Sequence, residues 1–138
     1  MDETAFRKTC RENQIKITPQ RLAIYQVLSQ SCDHPSTDKI FRKIKKRFPR
    51  ISFDTVNRTV LTFVDLELVR VVEGCGGGRC FDPNLGPHHH LRCIKCYSII
   101  DFYHKTYDEL KLPKNLPGDF KVLNKKVVLE GLCKKCKP

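Results

Sequence analysis

Cys93-x-x-Cys96 and Cys133-x-x-Cys136 are the residue pairs whose types and spacing point most narrowly to one chemistry. A CxxC knuckle presents two sulfurs from one tight turn, and Zn²⁺ takes four such ligands in a tetrahedron. Four thiolates fill every coordination position, so this ion is structural and not catalytic. The 36 residues between the knuckles suffice for a small sheet and a helix whose ends the metal pins together. Binding of that kind is worth on the order of 10–16 kcal/mol, enough to fold a small module. The competing readings of these cysteines are a redox dithiol pair or disulfides. Of the other four, Cys10 and Cys32 fit buried apolar faces as inert thiols. Cys75 and Cys80 flank a glycine turn and stay open: free, paired, or ligands.

A second constellation lies just upstream. His88, His89 and His90 precede the first knuckle, and an extended backbone puts His88 and His90 on one face with His89 on the other. The candidate partners are Asp82, Asp101 and His34. Imidazole with carboxylate and without thiolate suits Fe²⁺ and Mn²⁺, leaving zinc to the sulfur site. Taken singly, a histidine is more often structural or merely exposed.

The elements that must position these groups change character midway. Residues 1–66 read as helix, beginning with an amphipathic stretch near Thr4–Asn13. Thr18 caps a second helix with Pro19 at its first position, burying Leu22, Ile24, Tyr25, Val27 and Leu28. Ser36 caps a third, with Ile40, Phe41, Ile44 and Phe48 inward and Pro49 stopping it. A fourth begins at Ser52, its apolar stripe being Phe53, Val56, Val60, Phe63 and Val64. Thr55, Asn57, Arg58, Thr59 and Thr62 fall on the opposite side. Leu68–Val72 and Arg79–Asp82 read as strands about the turn Gly74–Gly78. Helices followed by a hairpin outline a winged helix-turn-helix, with Thr55, Asn57 and Arg58 facing the major groove. A plain surface helix fits the same periodicity.

Beyond Asp82 short β-like runs follow at Leu91–Cys93, Ile99–Phe102 and Phe120–Leu129, with a helix around Thr106–Leu112. Pro83, Gly86 and Pro87 make a hinge, giving a domain of residues 1–82, a hinge of 83–90 and a second domain of 91–138. The fold class expected is α+β: an N-terminal winged helix-turn-helix domain and a small C-terminal α/β domain held by the four-cysteine zinc site. A module of about 50 residues buries little core and leans on metal or oligomerisation.

Composition narrows the partners. Hydrophobic residues at 40% exclude a disordered chain, and no apolar run approaches the roughly 18 residues of a membrane span. The first 30 residues scatter charges among apolar positions, unlike a secretory signal, so a reducing cytoplasmic address is expected and membrane association is not. A net charge of +11, spread over both halves, favours a polyanion. No deaminase, zincin or Walker motif occurs, so the expected role is not enzymatic.

Together these motifs resemble the ferric uptake regulator family, and within it the peroxide-responsive repressors. The resemblance runs end to end: Ile17-Thr18-Pro19-Gln20-Arg21, His34-Pro35-Ser36-Thr37, Thr55-Val56, Arg79-Cys80-Phe81-Asp82, Pro87 through Cys96, Asp101-Phe102, and Gly131 through Cys136. It implies that the C-terminal domain forms a homodimer and that a regulatory metal binds His34, Asp82, His88, His90 and Asp101. Both carboxylates are Asp, as in peroxide sensors, where iron-uptake regulators commonly have Glu. By the same analogy peroxide reacting at Fe²⁺ oxidises His34 or His88 and releases DNA. Arg21, Thr55, Asn57 and Arg58 are the DNA-binding candidates, and the DNA is a double-stranded palindromic operator. The implied function is a metal-dependent transcriptional repressor sensing peroxide; the alternative is an iron- or zinc-responsive uptake regulator of the same family. Three departures stand out. Asn57 replaces a usual Tyr, Tyr97 a common Gly, and Lys125 a usual His, leaving only His89 and Asp108 of a possible additional metal site. A Cys80 thiolate near the hinge would draw the regulatory site towards zinc.

Overall fold

The computed structural model describes residues 2–138, which divide into two compact units, residues 2–85 and 86–138. In the first, α1 (Glu3–Glu12), α2 (Pro19–Ser29), α3 (Thr37–Arg47) and α4 (Phe53–Asp65) are followed by the hairpin β1 (Arg70–Val72) and β2 (Cys80–Asp82). Thr18, Ser36 and Ser52 cap α2, α3 and α4, each side-chain oxygen accepting from the backbone N–H three residues on. The apolar stripes meet in one core built on Phe6, Tyr25 and Phe63, with Ile24, Leu28, Ile40, Val56 and Val60 around them. Phe6 stacks on Tyr25 at 4.0 Å and meets Phe63 edge-on at 5.5 Å. Three packed helices and an antiparallel hairpin make a winged helix-turn-helix.

Several expectations for this unit shift. Thr59 is buried, not outward, because Val56, Thr59, Val60 and Phe63 form the i, i+3, i+4, i+7 stripe of α4; its hydroxyl donates to the Thr55 carbonyl at 2.8 Å. Phe53, in the first turn, is half-exposed and leans edge-on against Phe41 at 5.6 Å. β1 begins at Arg70, since Leu68 donates its N–H to the Phe63 carbonyl to close α4. Cys10 is buried, but Cys32 is exposed: it lies beyond the C-cap Gln30, where the helical face no longer extends.

The second unit is a three-stranded sheet in the order β4–β3–β5, from β3 (His89–Cys93), β4 (Ile99–Phe102) and β5 (Val128–Gly131), with one turn of helix, α5 (Lys105–Asp108). β3 is central, antiparallel to β4 and parallel to β5. The strand expected over Phe120–Leu129 is confined to Val128–Gly131, because β3 offers an edge only over His90–Cys93. The helix expected over Thr106–Leu112 stops at Asp108; the residue before Pro113 disfavours helical backbone. Among the described residues no helix is long and apolar enough to cross a membrane.

Candidate metal centres and recognition surface

The four cysteines converge. Their sulfurs all lie within 4.8 Å of one another, with Cys96 Sγ 3.7 Å from Cys133 Sγ. A tetrahedron with Zn–S bonds of about 2.3 Å has edges of about 3.8 Å, so the observed spacing is that of a zinc site. The fold produces this through register. Cys93 ends β3 opposite Gly131 of β5, Ile94 donates its N–H to the Gly131 carbonyl at 2.9 Å, and Cys133 follows two residues later. Each knuckle closes on itself, Tyr97 N–H to Cys93 O and Cys136 N–H to Cys133 O, both 2.9 Å. Tyr97 takes a left-handed backbone with φ +59°, which accounts for the glycine common at that position. Backbone N–H groups of Cys96 and Cys133 aimed at Cys93 pull its thiol down to about 6. The Ser98 hydroxyl lowers that of Cys96, while the neighbouring Cys133 sulfur pushes Cys136 up to about 12. A cluster that already favours thiolate at one corner and resists it at another is completed by a divalent ion that displaces the remaining protons.

The histidine ladder of the same unit follows from the strand period. His90 faces Asp101 across the β3–β4 register, and Nε2 of His90 lies 3.3 Å from Asp101 Oδ1. Two residues earlier His88 brings its Nε2 to 2.9 Å from that of His90 and 3.6 Å from Asp101 Oδ1. A six-coordinate ion with bonds of about 2.1 Å sets neighbouring ligand atoms about 3.0 Å apart and opposite ones about 4.2 Å apart. These three atoms fall within that range. His88 Nδ1 is 2.7 Å from the Gly86 carbonyl, which accepts its proton and directs Nε2 to the ligating role. Gly86, read from the sequence only as part of the hinge, thus also orients a candidate ligand.

His89 points to the other face. Its Nδ1 accepts the Val127 N–H at 3.2 Å, so the ring proton sits on Nε2 and is donated to Asp108 at 2.8 Å. Phe102 and Tyr107 pack against the ring. Lys125 donates to the Leu110 carbonyl.

In the first unit, His34 and Asp82 are both buried, with Nε2 and Oδ1 3.8 Å apart. Asp82 ends β2, and the Phe81 N–H donates to the Pro35 carbonyl at 3.1 Å, fixing the His34 segment beside it. His34 has φ +47°, a conformation His adopts more readily than most residues.

The recognition-helix candidates differ in availability. Thr55 and Arg58 are exposed on α4, Arg58 paired with Asp54 at 2.9 Å. Asn57 is half-buried, its Oδ1 accepting from Thr37 Oγ1 at 3.3 Å, which leaves its amide N–H groups to face outward chemistry. Arg21 binds the Lys16 carbonyl at 2.7 Å and so braces the α1–α2 turn. Cys75 and Cys80 form a disulfide across the wing, so in this form Cys80 offers no thiolate to a metal.

Residues 12–129 match the model of the ferric uptake regulator family. The peroxide-responsive repressor PerR of Staphylococcus epidermidis is 34% identical over 127 residues, covering 92% of this chain and 85% of the relative. PerR of Staphylococcus aureus strain Mu50 is 32% identical over 126 residues, covering 91% and 85%. The ferric uptake regulator Fur of Helicobacter pylori superposes with a TM-score of 0.78 at 22% identity, covering 96% of this chain and 89% of that one. PerR of Streptococcus pyogenes does so with a TM-score of 0.55 at 29% identity, covering 96% and 91%. A winged helix, a four-thiolate knuckle pair and a His/Asp ladder spaced for an ion, in a chain that follows these relatives nearly throughout, place it as a member of the ferric uptake regulator family.

Proposed function

We propose that this chain is a metal-dependent transcriptional repressor that releases DNA when peroxide damages its regulatory site. The carrying observation is that each unit separately gathers a part of one ligand set: His34 with Asp82, and His88 and His90 with Asp101. All are nitrogen or carboxylate donors, both acids are Asp, and two relatives above 30% identity are named peroxide-responsive repressors. We read the two parts as serving one Fe²⁺ or Mn²⁺, while the cysteine cluster holds Zn²⁺. When bound, iron supplies the electron that turns peroxide into an oxidant of imidazole. The residues do the rest. His34 and His88 would present an imidazole nitrogen as ligand, with the ring as the oxidisable group, and the Asp82 and Asp101 carboxylates would balance charge. An ion shared by both parts favours one arrangement of the chain only through its greater affinity for that arrangement.

The role is one of binding and not of catalysis. Thr55, Asn57 and Arg58 on α4 supply base contacts, and the basic surface supplies salt-dependent phosphate affinity. Arg21 is a further DNA-binding candidate, and it also braces the α1–α2 turn through the Lys16 carbonyl. Leu91, Ile100 and Leu129 stand side by side across β4–β3–β5, all exposed, which supports a homodimer formed through this sheet. A two-fold dimer reads a palindrome with half-sites about one helical turn, or a multiple, apart. Such a regulator works in the cytoplasm. His89 and Asp108 hydrogen-bond to each other and are the two residues that would contribute to an additional metal site.

The test loads the protein with Fe²⁺, adds one equivalent of hydrogen peroxide, and follows both peptide masses and retention of a random-sequence duplex pool at moderate salt. Single-oxygen adducts on His34 or His88 with loss of duplex are expected. Duplex retained with neither histidine oxidised would instead mark a metal-uptake regulator. His90→Ala should abolish metal-activated binding and keep one zinc per chain; loss of that zinc too would contradict two independent sites.

A further inference from the structure

The wing carries a feature that neither metal site uses. Cys75 and Cys80 are bonded to each other, their Cα atoms 6.1 Å apart, within the range two cysteines span without backbone movement. Between them lie Gly76, Gly77, Gly78 and Arg79. Gly76 and Gly77 have φ of +71° and +104°, and a β-carbon added at Gly77 or Gly78 would meet nothing within 4 Å. Without the bond the three glycines have no side chain to pack and a large backbone freedom to lose. The two sulfurs are held differently. Cys80 is buried in β2, opposite Val72 and bridged to Ser36, one residue from the Phe81–Pro35 hydrogen bond. Cys75 sits half-exposed on the loop, where it, Gly76 and Arg79 line one concave surface with Phe53 and Asn57 of α4. The wing tip and the recognition helix thus share a face.

We propose that Cys75 and Cys80 are a redox-active dithiol, oxidised by hydroperoxides independently of the regulatory metal, and that closing the bond orders the wing against α4. A disulfide in a protein of the reducing cytoplasm is more often a sensing or transient bond than a permanent one. The half-exposed Cys75 sulfur attacks the peroxide O–O bond, becoming a sulfenic acid and releasing water. The Cys80 thiol then displaces the hydroxyl, forming the S–S bond and a second water. Two thiols give up two electrons and two protons, and one peroxide becomes two waters. Low-molecular-weight disulfide can serve as oxidant by exchange, and a dithiol reductant reverses the change. Because the closed loop has less conformational freedom left to lose on docking, the disulfide form should bind DNA more tightly than the dithiol form. That consequence rests on the DNA-binding role proposed above; the redox couple and the ordering of the wing do not.

The experiment uses the full chain, zinc-replete, carrying Mn²⁺ in place of Fe²⁺ so that iron-driven histidine oxidation does not contribute. After reduction, one equivalent of hydrogen peroxide is added, and three readouts follow: differential alkylation with peptide mass, hydrogen exchange across residues 70–82, and affinity for duplexes retained from a random-sequence pool. The expected result is loss of two hydrogens from the peptide pair holding Cys75 and Cys80, no oxygen on His34 or His88, and slower exchange in the wing. Affinity should rise at least about threefold. Cys75→Ser should remove all three responses with zinc content unchanged. Thiols that stay alkylatable, a bond that forms without slowing exchange, or equal or weaker affinity in the disulfide form would each overturn the proposal. If neither redox form binds any duplex, the DNA-binding reading fails instead, and alkylation and exchange alone decide for or against the dithiol.

Discussion

The two units of this chain are stabilised by different physics. Residues 2–85 bury Phe6, Tyr25, Ile24, Leu28, Ile40, Val56, Val60 and Phe63 in one contiguous core. In Gly86–Pro138 the buried side chains among the described residues are His88, His89, His90, Cys93 and Ile99, while Leu91, Ile100, Leu129 and Val128 are exposed. The first unit has a hydrophobic interior of its own. The second has ligands and hydrogen bonds where a core would be, and it keeps its apolar side chains outside. A module that size with so little buried hydrocarbon depends on what it binds: an ion at the thiolates and, in the homodimer proposed above, a second sheet over its exposed row. The stability of the second unit therefore depends on its ligands, whereas the first unit keeps its hydrophobic core when a ligand is removed.

The largest effect that can break this contrast is zinc removal. Stripping the metal, or Cys96→Ser, should abolish hydrogen-exchange protection in β3–β5 and leave that of α2–α4 intact; a site worth on the order of 10 kcal/mol sets the scale. Protection lost equally in both units would erase the distinction. Proton competition gives the pH dependence. With Cys93 held at about 6, below the ordinary thiol range, its thiolate persists above that pH and is lost as pH falls through it. Zinc retention against a fixed chelator should therefore drop steeply below pH of about 6.

Next in size is the converse change. Phe63→Ala opens the first unit's core and should cost about 3–5 kcal/mol in urea unfolding followed by helical circular dichroism, with one zinc per chain retained. Leu91→Glu places a charge in the middle of the exposed row. It should weaken self-association at least about 100-fold, near 2.7 kcal/mol, in sedimentation equilibrium. The monomeric variant should keep its secondary structure. Smallest is Tyr97→Gly, which relieves a left-handed backbone at the first knuckle. It should stabilise the second unit by about 1 kcal/mol in the presence of zinc, read from its unfolding midpoint.

Much of the fold was legible because it is locally encoded. The hydroxyl caps Thr18, Ser36 and Ser52 and the breaker Pro49 each act within one helical turn, so pattern alone located the starts of α2, α3 and α4 to within a residue or two. The thiolate site was legible for a related reason: a CxxC turn is itself a local geometry, and two of them leave few alternatives. His88 and His90 on one face, with His89 on the other, followed from the strand period.

What remained illegible depends on partners distant in sequence. The length of β5 is set by the edge that β3 offers, not by the apolar pattern of residues 120–129. The exposure of Phe53 comes from where α3 lies against α4, its ring leaning on Phe41 at the edge of the core. The tautomer of His89 is chosen by the Val127 N–H, 38 residues on, and the orientation of the Asn57 amide by Thr37. Sequence left Cys75 and Cys80 open among three states because bonding needs a Cα separation that only the hairpin register supplies. Residue types and short spacings thus determined which chemistries this chain has available. Tertiary structure decided which atoms face one another, because a lone pair or a sulfur acts only over a few ångströms, and chain separation says nothing of those.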